Sequence, residues 1–315
     1  MRCIFASGSG ARTMDLLTVF EQHYLPLRLR GKSPETARLH RHSIRQFGKF
    51  LARSPSLADL TDANLSRLMH WGRERGLAAP SVNKWRNHLC ALWRFSARKG
   101  LVKDWPDVEA DVEPEKIPKA WLANELAALF DACRRQKGWI EGVRADLWWV
   151  ALHFVAYDSS ERIGAIRQLT WDNVDLGGGW LTFPADTRKG GRKARMYRVA
   201  AETVEALKLI QVPHRKLVFP WPGDQNYRWK KYGAVLKSAG LPSDRRSKFH
   251  RIRRTTASLY EAHGGNATEL LGHSTRRVTL AYLDPRIVKA PQAIDRLPRP
   301  GGTIGPTEPH HGDAS

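Results

Sequence analysis

The sequence predicts a mainly α-helical protein of two domains, with a small antiparallel β-sheet in the second domain. The length of 315 residues exceeds what a single small core usually organises. Apolar residues recur at helical spacing through most of the chain, while two strand-like segments lie between residues 180 and 200. Hydrophobic residues make up 42% of the sequence, which is enough for ordinary cores.

The first domain is predicted to span residues 14–103 and to contain four short helices, after a flexible N-terminus at residues 1–13. Leu16, Phe20 and Tyr24 recur at helical spacing, and Ser33-Pro34 is typical of a helix start. A third helix is predicted to begin near residues 61–62 and a fourth to cover residues 81–100. Their polar faces are rich in Arg, Lys and His, which favours a DNA-facing bundle over a merely solvated helical module.

The composition changes abruptly at residues 104–118. Six acidic residues alternate there with three prolines, in a chain that is otherwise strongly basic. Such a stretch is typical of a solvated linker, so we expect the domain boundary within it.

The second domain is predicted to cover residues 119–297. Helices are expected over residues 122–135 and 145–157, again over 202–210, and after Arg245. Residues 180–183 and 195–200 are predicted to be two strands joined by a basic turn. From residue 298 the chain is rich in Pro, Gly, Thr and His, which predicts a disordered tail at 298–315.

The charge balance predicts a polyanionic partner. Lys and Arg number 52 against 31 Asp and Glu, giving a net charge of +21 and a pI near 10.3. Ribosomal and membrane-surface proteins share this balance, so charge alone defines only the class of partner.

Three scattered cysteines indicate a reducing compartment and no zinc site. Without a signal peptide or a long apolar run, we expect a soluble, cytoplasmic protein with no membrane partner.

The first candidate residues for chemistry are cations. Arg162 follows a buried apolar helix, where a cation is costly unless it is paired or binds an anion. Lys189 lies in the basic turn before two glycines and is preferred to Lys193 for that reason. Asp186 is the only nearby acid in the sequence, so a phosphate backbone is the expected partner of this turn. The residues predicted to contact DNA are Arg188, Arg192, Lys193, Arg195, Arg245, Arg246, Lys248 and Arg251.

Two compact motifs follow. His250 and Arg253 are three residues apart, which puts an imidazole and a guanidinium on one face of a helix. Leu271-Gly272-His273 is expected to end a helix, with Tyr282 nine residues after the histidine. Each motif also has an ordinary structural interpretation. His250 and Arg253 fit a surface helix, and Tyr282 fits a tyrosine that fills the core. Together they supply fixed cations, two imidazoles and a phenol, without a cluster of carboxylates for a metal. This combination suits attack by a tyrosine on a DNA phosphate.

The six residues, in this order and spacing, resemble the pattern of the tyrosine recombinases, also called phage integrases. The resemblance covers roughly residues 14–290. It implies a two-domain clamp: a helical core-binding DNA-binding domain followed by an α+β catalytic domain. It implies that the catalytic residues are Arg162, Lys189, His250, Arg253, His273 and Tyr282, with Tyr282 as nucleophile.

The implied function is site-specific DNA recombination through a 3′-phosphotyrosyl intermediate, without metal, ATP or another cofactor. The expected partner is double-stranded DNA, with a homotetramer acting on paired sites and room for accessory DNA-bending or directionality factors. Integration, excision, transposition, cassette exchange and dimer resolution all fit the sequence.

Some features depart from the family pattern. Ser160-Glu161 precede Arg162, and Ala165 stands where an acidic residue is common, so Glu161 or another carboxylate has to support the arginine. The segment between Arg253 and His273 is also a few residues short. Two alternatives stay open: a type IB topoisomerase-like nicking and closing enzyme, and a catalytically degenerate DNA-binding protein. A metal-dependent transposase is disfavoured because no Asp/Asp/Glu set is evident.

Overall fold

The computed structural model describes residues 14–188, 193–245 and 247–288. The chain divides into two compact units, Met1–Glu115 and Lys116–Ser315. Both are mainly helical, and the second also contains small antiparallel sheets, so the predicted fold class is confirmed. The predicted flexible start at 1–13 and disordered tail at 298–315 lie outside the described residues. Among the described residues, no helix combines the length and apolar character needed to cross a bilayer.

The first unit is a helical bundle. Its helices are α1 (Leu16–Val19), a π-helical turn (Phe20–Tyr24), α2 (Leu25–Arg28), α3 (Pro34–Leu51), α4 (Asp62–Glu74) and α5 (Ala79–Arg98). Leu25 donates its N–H to the Phe20 carbonyl five residues back, just before Pro26, whose ring would clash in a regular helix. The core between α3, α4 and α5 contains the buried side chains of Phe47, Leu68 and Trp93.

Residues 104–113 pack on this first bundle, which differs from the predicted solvated linker. The Asn83 amide donates to the Asp111 carbonyl at 2.9 Å and accepts from the Asp111 N–H at 2.8 Å. Arg86 donates from Nε to the Val108 carbonyl at 2.7 Å, and Val108 itself is buried. This segment therefore binds α5 through the backbone of Val108 and Asp111, a contact that composition does not reveal.

The second unit is built around one apolar helix. Its helices are α6 (Ala123–Arg134), α7 (Ala145–Ser159), α8 (Ile163–Ile166), α9 (Ala201–Lys208), α10 (Gln225–Ser238), α11 (Phe249–Ala262), α12 (Ala267–Leu271) and α13 (Arg276–Leu280). Helix α7 is apolar on most of its surface, as its buried Trp148, Leu152 and Val155 illustrate, and such a helix must be surrounded. It packs against α6, α9 and α11, which places it at the centre of the core.

Two antiparallel sheets complete the second unit. The strands β1 (Trp139–Ile140) and β2 (Val143–Arg144) form a hairpin before α7, and β3 (Val174–Asp175), β4 (Trp180–Phe183) and β5 (Arg195–Arg198) form a three-stranded sheet in that order. Leu181 pairs with Tyr197, and their side chains are directed into the core. The two predicted strands are confirmed, whereas the hairpin, β3 and helix α10 were not predicted.

Candidate active site

Arg162 lies in a tight turn at the end of the central helix. Helix α7 ends at Ser159, and Ser160 takes a left-handed conformation with φ 51°. The Ser159 hydroxyl donates to the Val155 carbonyl at 2.6 Å and accepts the Glu161 N–H at 3.2 Å, which satisfies groups freed by the turn. Arg162 then caps α8 and lines a cleft of about 510 Å³. The sharp turn thus brings a cation from the core helix to an accessible surface.

Arg253 lies on α11 with only 1% of its surface exposed. Its guanidinium donates from Nη1 to the Ser160 carbonyl and from Nη2 to the Leu271 carbonyl, the latter at 2.8 Å. A guanidinium carries five N–H groups, so three remain for another acceptor. Burial, with Arg162 nearby, lowers the pKa of Arg253 to about 10, which leaves it charged near pH 7. Arg253 therefore joins the ends of α7 and α12, and three of its N–H groups remain free to bind another acceptor.

The turn that carries His273 depends on a glycine. Gly272 ends α12 with φ 67°, as the sequence predicted, and the His273 N–H closes the turn on the Thr268 carbonyl at 3.1 Å. Arg195 from β5 donates to the carbonyls of Glu269 and Leu270 beside it. A Cβ at position 272 would lie 2.8 Å from Nη2 of Arg195, so a larger residue here would have to displace the Arg195 side chain.

Tyr282 follows α13 and is held by a buried anchor two residues later. Asp284 is fully buried and accepts the Ala120 N–H at 2.7 Å and bonds from Arg286. Burial alone would raise the pKa of Asp284, but hydrogen bonds from Arg286 and the Ala120 N–H lower it below its ordinary value. Asp284 therefore attaches the segment that carries Tyr282 to Ala120, near the start of the second unit.

The side chains of both predicted motifs meet at Tyr282. Its ring centroid lies 5.0 Å from that of His250 and 4.7 Å from that of His273, and Cζ of Arg253 lies 5.8 Å from the ring. Arg162 is close enough to act electrostatically on both histidines and on Arg253. Five of the six predicted catalytic residues are thus brought together, from segments up to 120 residues apart. The sixth, Lys189, lies outside the described residues.

Both histidines of the cluster are poor proton acceptors in the free protein. His250 is exposed as a residue, but desolvation of its ring by its neighbours, followed by the charges of Arg254, Arg253 and Arg162, lowers its pKa to about 4. Burial and the charges of Arg253 and Arg162 likewise lower the pKa of His273 to about 4. His273 Nδ1 bonds the Thr279 hydroxyl at 3.2 Å, and its buried Nε2 has no hydrogen-bond partner within the described chain. Two neutral imidazoles therefore face a phenol among fixed cations.

Glu161 is the buried carboxylate of this region. One oxygen accepts from Arg188 Nε at 2.7 Å and from the Tyr197 hydroxyl at 3.0 Å, while the other accepts the Arg162 N–H at 3.1 Å. The expectation that the basic turn has no internal acid except Asp186 is therefore wrong. Glu161 lies 27 residues before Arg188 and is brought to it by the fold. Among the contacts of the described residues, Glu161 bonds the backbone N–H of Arg162 and not its guanidinium.

The residues predicted to contact DNA fall into different environments. Lys193 and Arg245 are exposed, whereas Lys248 is half-buried over the Trp229 ring at 5.0 Å. Arg251 does not fit the prediction: it is 6% exposed, stacks 3.7 Å from the Trp121 ring centroid and donates to the Ala120 carbonyl. Arg188 and Arg195 also have internal partners, as described above. Arg192 and Arg246 lie outside the residues whose side chains are described.

Sequence reasoning missed several supporting residues. Tyr197 is a buried tyrosine on β5. It lies on the same face of the predicted strand as Arg195 and on the face opposite Met196, which was a usable signal. Thr279 and Asp284 flank Tyr282, but nothing in the sequence separates them from ordinary polar residues. Among residues 14–188, 193–245 and 247–288, no three His, Cys, Asp or Glu side chains form a group that could hold a metal ion.

The chain is similar to a named recombinase in sequence. A protein of Pseudomonas syringae named tyrosine recombinase XerC is 24% identical over 311 residues, covering 87% of this chain. The alignment spans 62% of that relative's length. No protein-family model matches the chain.

Solved structures give a stronger likeness in fold. A λ integrase dimer bound to a core site matches 88% of this chain and 79% of the λ chain, with a TM-score of 0.66 at 18% identity. A λ integrase tetramer bound to a Holliday junction gives the same TM-score and identity over 89% of this chain and 82% of its own. The Tn1549 transposon integrase, in complex with a circular intermediate DNA, matches 86% of this chain and 95% of its own, with a TM-score of 0.66 at 14% identity. The chain therefore has the fold of the tyrosine recombinases, and the resemblance drawn from the motifs is confirmed at that level.

Proposed function

We propose that the chain is a site-specific DNA recombinase that cleaves and rejoins DNA through a 3′-phosphotyrosyl intermediate, using neither metal nor ATP. The observation that carries the proposal is the packing of the Tyr282 ring between His250 and His273, over the guanidinium of Arg253. A phenol has an ordinary pKa near ~10 and is a weak nucleophile unless cations or a base act on it. Here both kinds of group surround it.

In the first step the Tyr282 oxygen attacks the scissile phosphorus, the P–O5′ bond breaks, and the phosphate stays joined to the tyrosine. Arg162 and Arg253 bind the nonbridging oxygens as negative charge grows on them. The free N–H groups of Arg253 and the accessible position of Arg162 support this assignment. Fixed donors of this kind are usually the largest catalytic contribution, and loss of one costs about 10²–10³ in rate.

The protons move through the remaining residues. In the proposed complex the DNA phosphate offsets the charges of Arg253 and Arg162 that hold the pKa of His250 down, and His250 then takes the phenol proton. Lys189 gives a proton to the leaving 5′-oxygen. If the Thr279 hydroxyl donates to Nδ1 of His273, the ring proton is on Nε2, which is the nitrogen that lacks a partner. That N–H then donates to a phosphate oxygen. A 5′-hydroxyl of another strand finally attacks the phosphotyrosine, so strands are exchanged rather than hydrolysed.

The proposed partner is double-stranded DNA, in keeping with the net charge of +21. The λ integrase structures contain a dimer on a core site and a tetramer on a Holliday junction. By analogy, we propose that four copies of this chain act on two duplexes, with residues 14–103 and 119–297 as the DNA-binding and catalytic domains. Accessory DNA-bending or directionality factors and a cytoplasmic location are part of the same proposal.

The test is detection of a covalent protein–DNA adduct on a denaturing gel, in EDTA. The substrates are nicked duplexes that span the DNA flanking the gene, incubated with wild type and with Tyr282→Phe. We expect an adduct that resists EDTA and disappears in the variant, while DNA affinity is retained. Salt-sensitive binding without any adduct would favour the degenerate DNA-binding protein. An adduct with supercoil relaxation by a monomer, but no joining of two sites, would favour the topoisomerase-like activity.

A further inference from the structure

Thr279 is a buried threonine whose hydroxyl contacts a residue of the candidate active site. It lies on α13 with 0% of its surface exposed. Its Oγ1 lies 3.2 Å from Nδ1 of His273. Threonine hydroxyls inside helices commonly bond the carbonyl four residues back, as those of Thr255 and Thr256 do on α11. The Thr279 hydroxyl is used differently, because its described partner is the imidazole.

The same residue also holds the segment that carries the nucleophile. The Thr279 carbonyl accepts the Tyr282 N–H at 2.8 Å, and the ring centroids of Tyr282 and His273 lie 4.7 Å apart. Thr279 therefore contacts both residues through separate groups, its carbonyl and its hydroxyl. Of these two bonds, only the bond to His273 depends on the identity of the side chain.

The direction of the hydroxyl bond follows from what each atom can accept. Desolvation and the charge of Arg253 lower the pKa of His273 to about 4, so the ring carries a single proton near pH 7. With that proton on Nδ1, the Thr279 O–H would be buried without an acceptor, since the described residues offer it no other. Buried donors are almost always paired. The hydroxyl therefore donates to Nδ1, and the ring proton is on Nε2.

A proton on Nε2 gives the ring a donor where the protein supplies no acceptor. Nε2 is buried and has no hydrogen-bond partner within the described chain. The charged groups that act on the ring are Arg253, Arg162 and Arg195, and a guanidinium can only donate. The acceptor must then come from the substrate, and a phosphate oxygen bound by Arg162 and Arg253 fits. The other tautomer would direct a lone pair at that oxygen and repel it.

We propose that Thr279 is a positioning residue: its hydroxyl holds the His273 ring in the tautomer and orientation that direct the Nε2–H at a nonbridging oxygen of the scissile phosphate. This inference rests on the proposed function and assigns to it a residue outside the six-residue pattern. Thr279 touches neither the phosphate nor the Tyr282 oxygen in this account. Its effect on cleavage passes through His273.

Thr279→Val tests the hydroxyl, because valine keeps the branched shape and the backbone carbonyl but cannot donate from its side chain. Loss of a fixed donor to developing charge costs about 10²–10³ in rate, and a misdirected donor keeps part of its effect. We expect formation of the phosphotyrosine to slow by about 10–100-fold, with the dissociation constant for DNA unchanged. Thr279→Ser keeps the hydroxyl and should restore most of the wild-type rate.

Combination with His273→Ala gives the decisive comparison. If Thr279 acts through His273, Thr279→Val should have no further effect on the cleavage rate in the His273→Ala background. A threonine that only supports the fold would slow both backgrounds by the same factor. Such multiplicative losses would overturn the proposal, and so would a Thr279→Ser variant as slow as Thr279→Val.

Thr256→Val is the matched control. It makes the same isosteric change on α11, and the hydroxyl that it removes bonds the carbonyls of Tyr157, at 2.8 Å, and Ile252. It should lower the urea midpoint of the second unit as Thr279→Val does, yet cleave DNA at the wild-type rate. A control that cleaves as slowly as Thr279→Val would attribute the loss to general destabilisation and exclude a positioning role.

Nitrogen-15 NMR of the histidine rings gives a readout that needs no activity. Protonated and unprotonated ring nitrogens have well-separated chemical shifts, and the His273 signals are those missing from His273→Ala. At pH 7 we expect the proton on Nε2 in wild type and in Thr279→Ser, and a mixture of tautomers in Thr279→Val.

This measurement separates the two proposals. If wild type forms no Tyr282 adduct, the proposed function fails, whereas a mixture of tautomers in Thr279→Val would still support the positioning of His273. A proton on Nδ1 in wild type, or an unchanged tautomer in Thr279→Val, would overturn the positioning role even if the adduct forms.

Discussion

Gly272→Ala tests how the turn before His273 is held. Gly272 has φ 67°, where an alanine costs about 1–2 kcal/mol relative to its preferred conformations. Its new Cβ would also lie 2.8 Å from Nη2 and 3.0 Å from Cζ of Arg195. Arg195 must then move away from the carbonyls of Glu269 and Leu270, and hydrogen bonds from a charged group contribute about 1.5–3 kcal/mol. We expect a loss of about 3–4 kcal/mol in the free energy of unfolding of the second unit.

Gly264→Ala is the matched control for this change. Gly264 has φ 83°, but a Cβ there meets nothing within 4 Å, so only the backbone cost of about 1–2 kcal/mol applies. Unfolding in urea, followed through amide exchange of peptides from residues 116–288, measures both variants in the same unit. In an Arg195→Ala background, Gly272→Ala should cost no more than the control. Equal losses for Gly272→Ala and Gly264→Ala in the wild-type background would refute the role given to Arg195.

Other predictions concern pH, the tyrosine anchor and the first bundle. With the pKa values of His250 and His273 lowered from 6.5 to about 4, the unfolded chain binds more protons between these values, so stability should fall as pH drops from 6.5 to 4. The urea midpoint should fall less between pH 7 and pH 4.5 in the double variant His250→Gln/His273→Gln than in wild type. An equal fall in the two proteins would contradict the assignment to these histidines. Asp284→Asn should cost about 1–3 kcal/mol and slow adduct formation, since a buried acceptor of several N–H groups is weakened. Calorimetry and the adduct gel check it, and a fully active variant with unchanged stability would exclude the anchor. Gly72→Ala should cost about 1–3 kcal/mol in amide-exchange stability of the first unit, because its Cβ would lie 2.7 Å from the Val82 side chain of α5. An unchanged value would mean that Val82 and its neighbour Trp85 move aside at no net cost.

Local rules in the sequence determined much of this protein. Helical periodicity and Ser33-Pro34 predicted the helices of the first unit, because apolar spacing and capping act within a few residues. The glycine of Leu271-Gly272-His273 predicted a helix end, since a left-handed residue is needed there. The spacing of His250 and Arg253 placed both on one face of α11, and the order of the six residues led to the fold that the comparisons confirm.

Only the tertiary structure decided which charges are used internally. Arg251 and Arg188 look like surface cations in the sequence. In the structure Arg251 stacks on Trp121 and donates to the Ala120 carbonyl, and Arg188 donates to Glu161. The acidic segment at 104–113 looked solvated and instead binds the side of α5. Each of these partners lies more than 20 residues away along the chain. Composition and spacing describe neighbours in sequence, whereas the partner of a charge is chosen by which distant segments the packed core brings within hydrogen-bond distance.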